Sequence, residues 1–267
     1  MGDRIGFVGP GRVGGPMVER LLAVGRDVRV VARRPDVRGH VAGLGAEAVG
    51  EVAALGACGV VVCCLFDDAQ LSEVLPVVVE GLDPGALVVS HTTGAPDVVR
   101  GLADLALARG VSLVDAPFSG TAADVRAGTL TVLLGAEPAD AARARAVVEA
   151  YADPVIHTGP PGSALQVKLL NNSLFTAISQ LTLTALQAAD ALGVSEETLW
   201  SVLAVSSGGS KAADHIGRHG AAEFVEAVGV VLDKDVAAAR RAAEWSGLDI
   251  GPLLRAAVDG PLPIGRR

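Results

Sequence analysis

Between residues 4 and 157 the chain alternates short valine-rich runs with helical patterns, and this alternation restricts the fold more than any other feature. Strand patterns fall at 4–8, 28–32, 59–64, 86–90, 112–116, 130–134 and 155–157. Helical patterns lie between them at 17–24, 52–57, 69–79, 97–109 and 140–151. Strands separated by helices run mostly parallel, because each crossover returns the chain to the same edge of the sheet. The strand runs are continuously apolar rather than alternating, as expected of strands covered by helices on both faces. An α/β fold with a doubly wound, largely parallel sheet is the expectation for this part.

After residue 160 the strand signals fade. A Gly159-Pro-Pro-Gly162 break leads into Ser163 and Gln166, a capping-box pattern that would satisfy the first amides of a new helix. Apolar periodicity continues to Leu192, and Gly193 is a natural stop. A helix over 163–192 would be about 45 Å long. Ser195-Glu196-Glu197 starts another helix, 206–210 reads as a loop, and helical patterns return at 212–216, 221–225, 236–246 and 252–258. The expected division is a sheet domain at 1–161, a long joining helix at 162–193 and an all-helical domain at 194–267. On the long helix, Lys168 and Asn172 share one face at i,i+4, with Asn171 beside it. An ammonium and two amides on an otherwise apolar helix need polar company.

Several classes of function are disfavoured. The net charge is -8 and the basic residues form no block, which argues against nucleic acid and anionic membranes as partners. Residues 169–189 lack formal charge, but Asn171, Asn172, Gln180 and Gln187 make the stretch too polar for a membrane span. Cys58, Cys63 and Cys64 have no CxxC spacing and read as reduced core residues of a cytoplasmic protein. The N-terminus leads directly into a strand pattern, without the features of a signal peptide. His215, His219 and Glu223 fall at i,i+4,i+8, but Gly217 and Gly220 weaken that helix and no zinc motif surrounds them, so no metal is expected.

Gly9-Pro10-Gly11-Arg12-Val13-Gly14 is a G-x-G-x-x-G motif placed between the first strand pattern and a helix. The first glycine permits the tight turn, the second a close approach to a pyrophosphate, and the third close packing of helix on strand. The helix N-terminus adds amides and a positive dipole end. This combination predicts a dinucleotide site in a Rossmann-type sheet. At the end of the second strand, where an NAD site would carry Asp or Glu, the chain has Ala32-Arg33-Arg34. A guanidinium suits the 2′-phosphate of NADP(H), so NADP(H) is the preferred cofactor and NAD(H) the alternative.

With these motifs placed, the chain resembles the β-hydroxyacid dehydrogenase family, which includes 3-hydroxyisobutyrate dehydrogenase, tartronate semialdehyde reductase and glyoxylate/succinic semialdehyde reductases. The resemblance spans nearly the whole chain. It rests on the loop from Ile5 to Met17, Asp115-Ala-Pro-Phe-Ser-Gly120 followed by Gly128-Thr-Leu130, the segment from Gly162 through Lys168 to Asn172, and Lys234-Asp235. The resemblance implies that Lys168 is the general acid/base and that Asn172 holds substrate, supported by Asn171. It implies that Ser119 and Gly120 bind a substrate carboxylate. Leu65 and Phe66 would line the cofactor, Thr93 would contact its nicotinamide-ribose side, and Lys234 would join the cofactor residues. His91 belongs to the same neighbourhood as Thr93. The family implies a C-terminal helical domain like that of 6-phosphogluconate dehydrogenase, and a homodimer or homotetramer. Two positions depart from its pattern, since Phe118 replaces a smaller aliphatic residue and Thr121 a second glycine, and both are expected to narrow the loop.

The expected activity is interconversion of a small hydroxyacid or alcohol with its semialdehyde or keto form. Imine reduction on the same scaffold is one alternative, although relatives of that kind usually carry Asp or Tyr where Lys168 stands. A non-catalytic dinucleotide-binding sensor or assembly protein is the other, although such relatives tend to lose the lysine.

Overall fold

The computed structural model describes residues 4–265. The chain packs as two compact units, one ending at Lys168 and the other beginning at Leu169. The first contains β1 (Ile5–Val8), α1 (Gly14–Ala23), β2 (Val28–Val31), α2 (Pro35–Gly43), β3 (Glu47–Val49), a 3-10 turn (Val52–Leu55) and β4 (Val60–Cys63). It continues through α3 (Asp68–Gly81), β5 (Leu87–Ser90), α4 (Pro96–Leu107), β6 (Ser112–Asp115), β7 (Phe118–Ser119), α5 (Ala122–Ala127), β8 (Leu130–Gly135), α6 (Pro138–Val148) and β9 (Ala152–Gly159).

The strands form one sheet in the order β3-β2-β1-β4-β5-β6-β8-β7, with β9 also paired to β8. All pairs from β3 to β6 are parallel, whereas β8 runs antiparallel to β6 and β7. The sheet buries both faces. Ile5 and Phe7, Val60 and Val62, and Leu87 and Val89 enter one apolar cluster. Their neighbours Val8, Val61, Cys63 and Val88 enter the other. Successive strand residues point to opposite faces, so continuous apolar runs are what such a sheet needs. The cysteines are free thiols, and burial pushes those of Cys63 and Cys64 up to about 12.

Four short elements go beyond the expected pattern. Glu47–Val49 and Phe118–Ser119 are too brief to show a strand period. The helix Pro35–Gly43 buries Val41 alone and so lacks an apolar stripe. The helix Ala122–Ala127 spans six residues, and the expected helix at 52–57 is only a 3-10 turn.

The long helix α7 (Ser163–Ala191) begins in the first unit. The structure corrects the expected cap. Ser163 is already inside the helix, and its Oγ hydrogen-bonds Thr158 Oγ1 at 2.7 Å. The capping carboxylate comes instead from Asp115 at the end of β6. Gly162 N–H donates to Asp115 Oδ1 at 2.7 Å, and Leu165 N–H donates to Oδ2 at 3.0 Å. A negative group there also meets the positive end of the helix dipole. Burial raises the Asp115 pKa, against the lowering effect of amides including those of Gly162 and Leu165. Gly135 makes room for this carboxylate, since a Cβ there would lie 2.3 Å from Asp115 Oδ1.

The second unit holds α7 from Leu169 onward, with α8 (Glu196–Leu203), α9 (Lys211–His219), α10 (Ala221–Ser246) and α11 (Gly251–Val258). Its core includes Ala177, Leu183, Ile216, Phe224, Leu232 and Val236. The expected separate helices at 221–225 and 236–246 are one helix, because Phe224, Val228, Leu232 and Val236 carry the apolar stripe past Gly229. Buried Gln180 ties the C-terminal segment to α7: its amide donates to the carbonyls of Ala257 and Leu262, both at 3.1 Å, and its carbonyl accepts from Leu262 N–H at 2.7 Å. Among the described residues, no helix is long and apolar enough to cross a membrane.

Removing the Asp115 cap leaves two buried amides without their acceptor. Asp115→Ala should therefore lower the unfolding free energy by about 2–4 kcal/mol, as read from urea denaturation. A loss below about 0.5 kcal/mol would show that the cap carries no weight.

Candidate active site

The register of the first unit brings the ends of its central strands together. Val8 lies opposite Val31 and Cys63, Cys63 opposite Ser90, and Ser90 opposite Asp115. The residues that follow β1, β2, β4, β5 and β6 therefore share the carboxyl edge of the sheet, where open α/β sheets bind ligands.

At that edge Gly9 takes φ +87°, and a Cβ there would lie 2.2 Å from the carbonyl oxygen of Cys64. Gly11 N–H donates to Gly9 O at 2.8 Å, closing the turn. A Cβ on Gly14 would lie 2.2 Å from Gly9 O, so helix and turn approach closely only without a side chain. A Cβ on Gly11 would meet nothing within 4 Å, so this backbone faces open space. Pro10 and Val13 are partly buried and Arg12 is exposed. This cradle fits a dinucleotide pyrophosphate at the N-terminus of α1.

Ala32 is buried at the end of β2, while Arg33 and Arg34 are exposed. Arg34 pairs with Asp36 at 3.0 Å. The Arg33 guanidinium makes no ion pair or hydrogen bond among the described residues. The turn itself is held by Arg38, which donates to the carbonyls of Ala32 at 3.1 Å and Arg33 at 3.3 Å. Leu65 is partly buried, Phe66 is exposed and Thr93 is partly buried, all in segments that leave this edge. Asp68 braces the Thr93 segment by accepting from Ala95 N–H at 2.9 Å.

Lys168 stands on α7 with 8% of its surface exposed. Its Nζ donates to Ser119 Oγ at 2.7 Å. Ser119 and Gly120 are exposed at the end of β7, and Gly120 takes φ +130°. The expected narrowing by Phe118 and Thr121 does not follow from their placement. Phe118 packs onto the core on the face opposite Ser119. Thr121 gives its amide and hydroxyl to Asp124 Oδ2 at 2.6 and 2.7 Å, and the hydroxyl is the main cause of the lowered Asp124 pKa.

In the second unit, Asn172 is buried and its amide donates to Asp235 Oδ2 at 2.6 Å. Asn171 is exposed and donates to Asn172 Oδ1 at 3.0 Å. Lys234 Nζ lies 3.4 Å from Asp235 Oδ1. Asp235 thus orients both of its neighbours, a role that its adjacency to Lys234 in the sequence does not disclose. His215 packs edge-on to Phe175 and Phe224, at ring separations of 6.5 and 5.5 Å.

His91, which follows β5, is buried between two polar partners. Its Nδ1 faces the carbonyl oxygen of Ala116, and its Nε2 lies 2.8 Å from the Tyr151 hydroxyl. Burial lowers the imidazole pKa to about 4 and pushes the Tyr151 phenol well up. Nothing in the sequence pattern pairs these residues, which stand sixty positions apart.

Comparison with known proteins places these features in a wider set. Residues 4–159 match the family described as the NAD binding domain of 6-phosphogluconate dehydrogenase. A 3-hydroxyisobutyrate dehydrogenase of Pseudomonas aeruginosa is 34% identical over 212 residues, which cover 77% of this chain and 70% of that protein. An NAD-dependent L-serine dehydrogenase of the same organism is 31% identical, over 78% of this chain and 71% of that protein. A solved 3-hydroxyisobutyrate dehydrogenase of Mycobacterium tuberculosis with L-serine shares the fold, with a TM-score of 0.87 at 24% identity, covering 96% of this chain and 92% of that one.

The buried imidazole has a consequence for acid stability. Its pKa falls from an ordinary 6.5 to about 4 on folding, so its contribution is complete above pH 6.5 and is lost as pH falls toward 4. The unfolded chain binds a proton in that window that the native chain refuses. His91→Asn removes the titration, so the stability gap between wild type and variant should shrink by about 3 kcal/mol from pH 7 to pH 4. A gap independent of pH in denaturant titrations would contradict the assignment.

Proposed function

The chain belongs to the β-hydroxyacid dehydrogenase family and is an NAD(P)-dependent oxidoreductase; we propose that it interconverts a small carboxylate-bearing hydroxyacid and its semialdehyde or keto form, with NADP(H) and with Lys168 as general acid/base. The observation that carries this reading is the Lys168 ammonium, nearly buried and held 2.7 Å from Ser119 Oγ. When bound, the nicotinamide supplies or accepts the hydride at the substrate carbon. Lys168 Nζ moves the matching proton at the substrate oxygen, giving it in reduction and taking it in oxidation. Ser119 and Gly120 hold the substrate carboxylate, and Asn172, oriented by Asp235 and Asn171, holds the substrate beside the lysine. Two relatives are named for 3-hydroxyisobutyrate and L-serine, small hydroxyacids that support this substrate class.

Gly9 through Gly14 cradle the pyrophosphate, and Arg33 with Arg34 receives the 2′-phosphate. Leu65, Phe66, Thr93 and Lys234 complete the cofactor site in this reading. Residues 1–161 serve as the cofactor domain, 162–193 as the joining helix and 194–267 as the helical domain. The enzyme acts in the cytoplasm as a homodimer or homotetramer. Imine reduction fits less well, since Lys168 is suited to a carbonyl or alcohol oxygen.

Lys168→Ala should reduce kcat by about 10²–10⁴-fold while the Kd for NADPH changes little. Retained turnover would remove the lysine from the chemistry. Arg33→Ala should weaken NADPH binding by about 10–100-fold and leave NADH nearly unaffected, as measured by fluorescence titration. Equal losses for both cofactors would overturn the NADP(H) assignment. A cofactor-absorbance screen with semialdehydes, β-hydroxyacids and cyclic imines separates the substrate classes, and turnover of imines alone would assign imine reduction instead.

A further inference from the structure

We propose that His91 is a positioning residue that clamps the loop carrying Ser119, with Tyr151 holding the imidazole in the tautomer that does so. The proposal rests on the reading of that loop as the substrate site. A carbonyl oxygen can only accept, so the contact with Ala116 assigns the ring proton to Nδ1. A neutral imidazole then has a lone pair at Nε2, and the Tyr151 hydroxyl donates to it at 2.8 Å. The reverse tautomer would set a lone pair against the carbonyl. Tyr151 is fully buried, so its hydroxyl needs this acceptor.

The clamp acts where the loop is most sensitive. Ala116 precedes Pro117, whose ring fixes φ and supplies no N–H, so the orientation of the peptide at Ala116 sets the course of the chain toward Ser119. Ala116 N–H already donates to Ser90 O at 2.7 Å, and Pro117 O accepts from Leu133 N–H at 3.0 Å. His91 completes this set by taking the Ala116 carbonyl. Its ring also meets Phe118 edge-on at 5.9 Å and Tyr151 at 5.8 Å, with interplanar angles of 76° and 71°. The loop is thus gripped through one carbonyl and one aromatic ring, immediately before the serine that accepts from Lys168.

The test compares His91→Leu, His91→Asn and Tyr151→Phe in the full chain. Loss of the clamp in His91→Leu should raise substrate KM about tenfold and lower kcat, with cofactor KM changed less than about twofold. The same variant should speed amide hydrogen exchange across residues 116–121 without affecting β4. Asn places an N–H near the position of Nδ1, so His91→Asn should recover most of both effects, and Tyr151→Phe should give a smaller loss of the same kind. Unchanged exchange in the loop, no rescue by asparagine, or an equal rise in both KM values would overturn the proposal. Ser119→Ala separates the underlying reading: if it leaves substrate KM unchanged, the loop is not the substrate site, whatever His91 does to its exchange.

Discussion

The Asp115 carboxylate joins the end of β6 to the first amides of α7, and the place of Lys168 depends on that junction. Two arms leave the anchor. One runs four residues along the chain to Ser119, and the other runs along the helix from Gly162 to Lys168, about 9 Å at 1.5 Å per residue. The Lys168–Ser119 hydrogen bond closes the ring at 2.7 Å. Both arms are stiff, since one is helix and the other contains Pro117 and pairs through Phe118 and Ser119 with β8. A carboxylate in a nearly dry position is an expensive anchor, and the raised Asp115 pKa records that cost. The amides of α7 offset it, which binds the stability of the junction to the formation of the helix.

The parts of the fold visible in the sequence are those with a period. The long valine runs, the break before Ser163 and the apolar stripe of α7 each repeat over enough residues to show their geometry. Elements two or three residues long, such as Phe118–Ser119 and Glu47–Val49, have no period to read. The glycine motif was legible for a different reason, because Gly9 and Gly14 mark approaches that a Cβ would block. The candidate lysine stood out because an ammonium on an apolar helix is conspicuous without any knowledge of its partner.

Partners across long sequence separations were not legible. The pattern Ser163-x-x-Gln166 is locally a good cap, yet a carboxylate from Asp115 takes that place in the structure. Capping propensities score the nearest side chain, whereas the folded chain offers the amides to any acceptor that reaches them. The same holds for Asp235 with Asn172 and for His91 with Tyr151. Phe118 illustrates the converse: its bulk predicts a crowded loop, and strand alternation turns it toward His91 and the core instead.

The two arginines after β2 look equivalent in sequence but not in structure. Arg34 has Asp36 at 3.0 Å, although both side chains are about seven-tenths exposed and such a pair contributes little. An anion approaching Arg34 must still compete with that carboxylate. Arg33 has no such competitor among the described residues. Its backbone is held at its own carbonyl by Arg38, and the preceding Ala32 is held at both ends by Arg38 and by Val49 O, which accepts from Ala32 N–H at 2.9 Å. A guanidinium on a fixed turn, with no internal ion pair to break, loses less on meeting a phosphate than one that must be released and reoriented. That asymmetry makes Arg33, rather than the basic pair as a unit, the main support for the proposed cofactor preference.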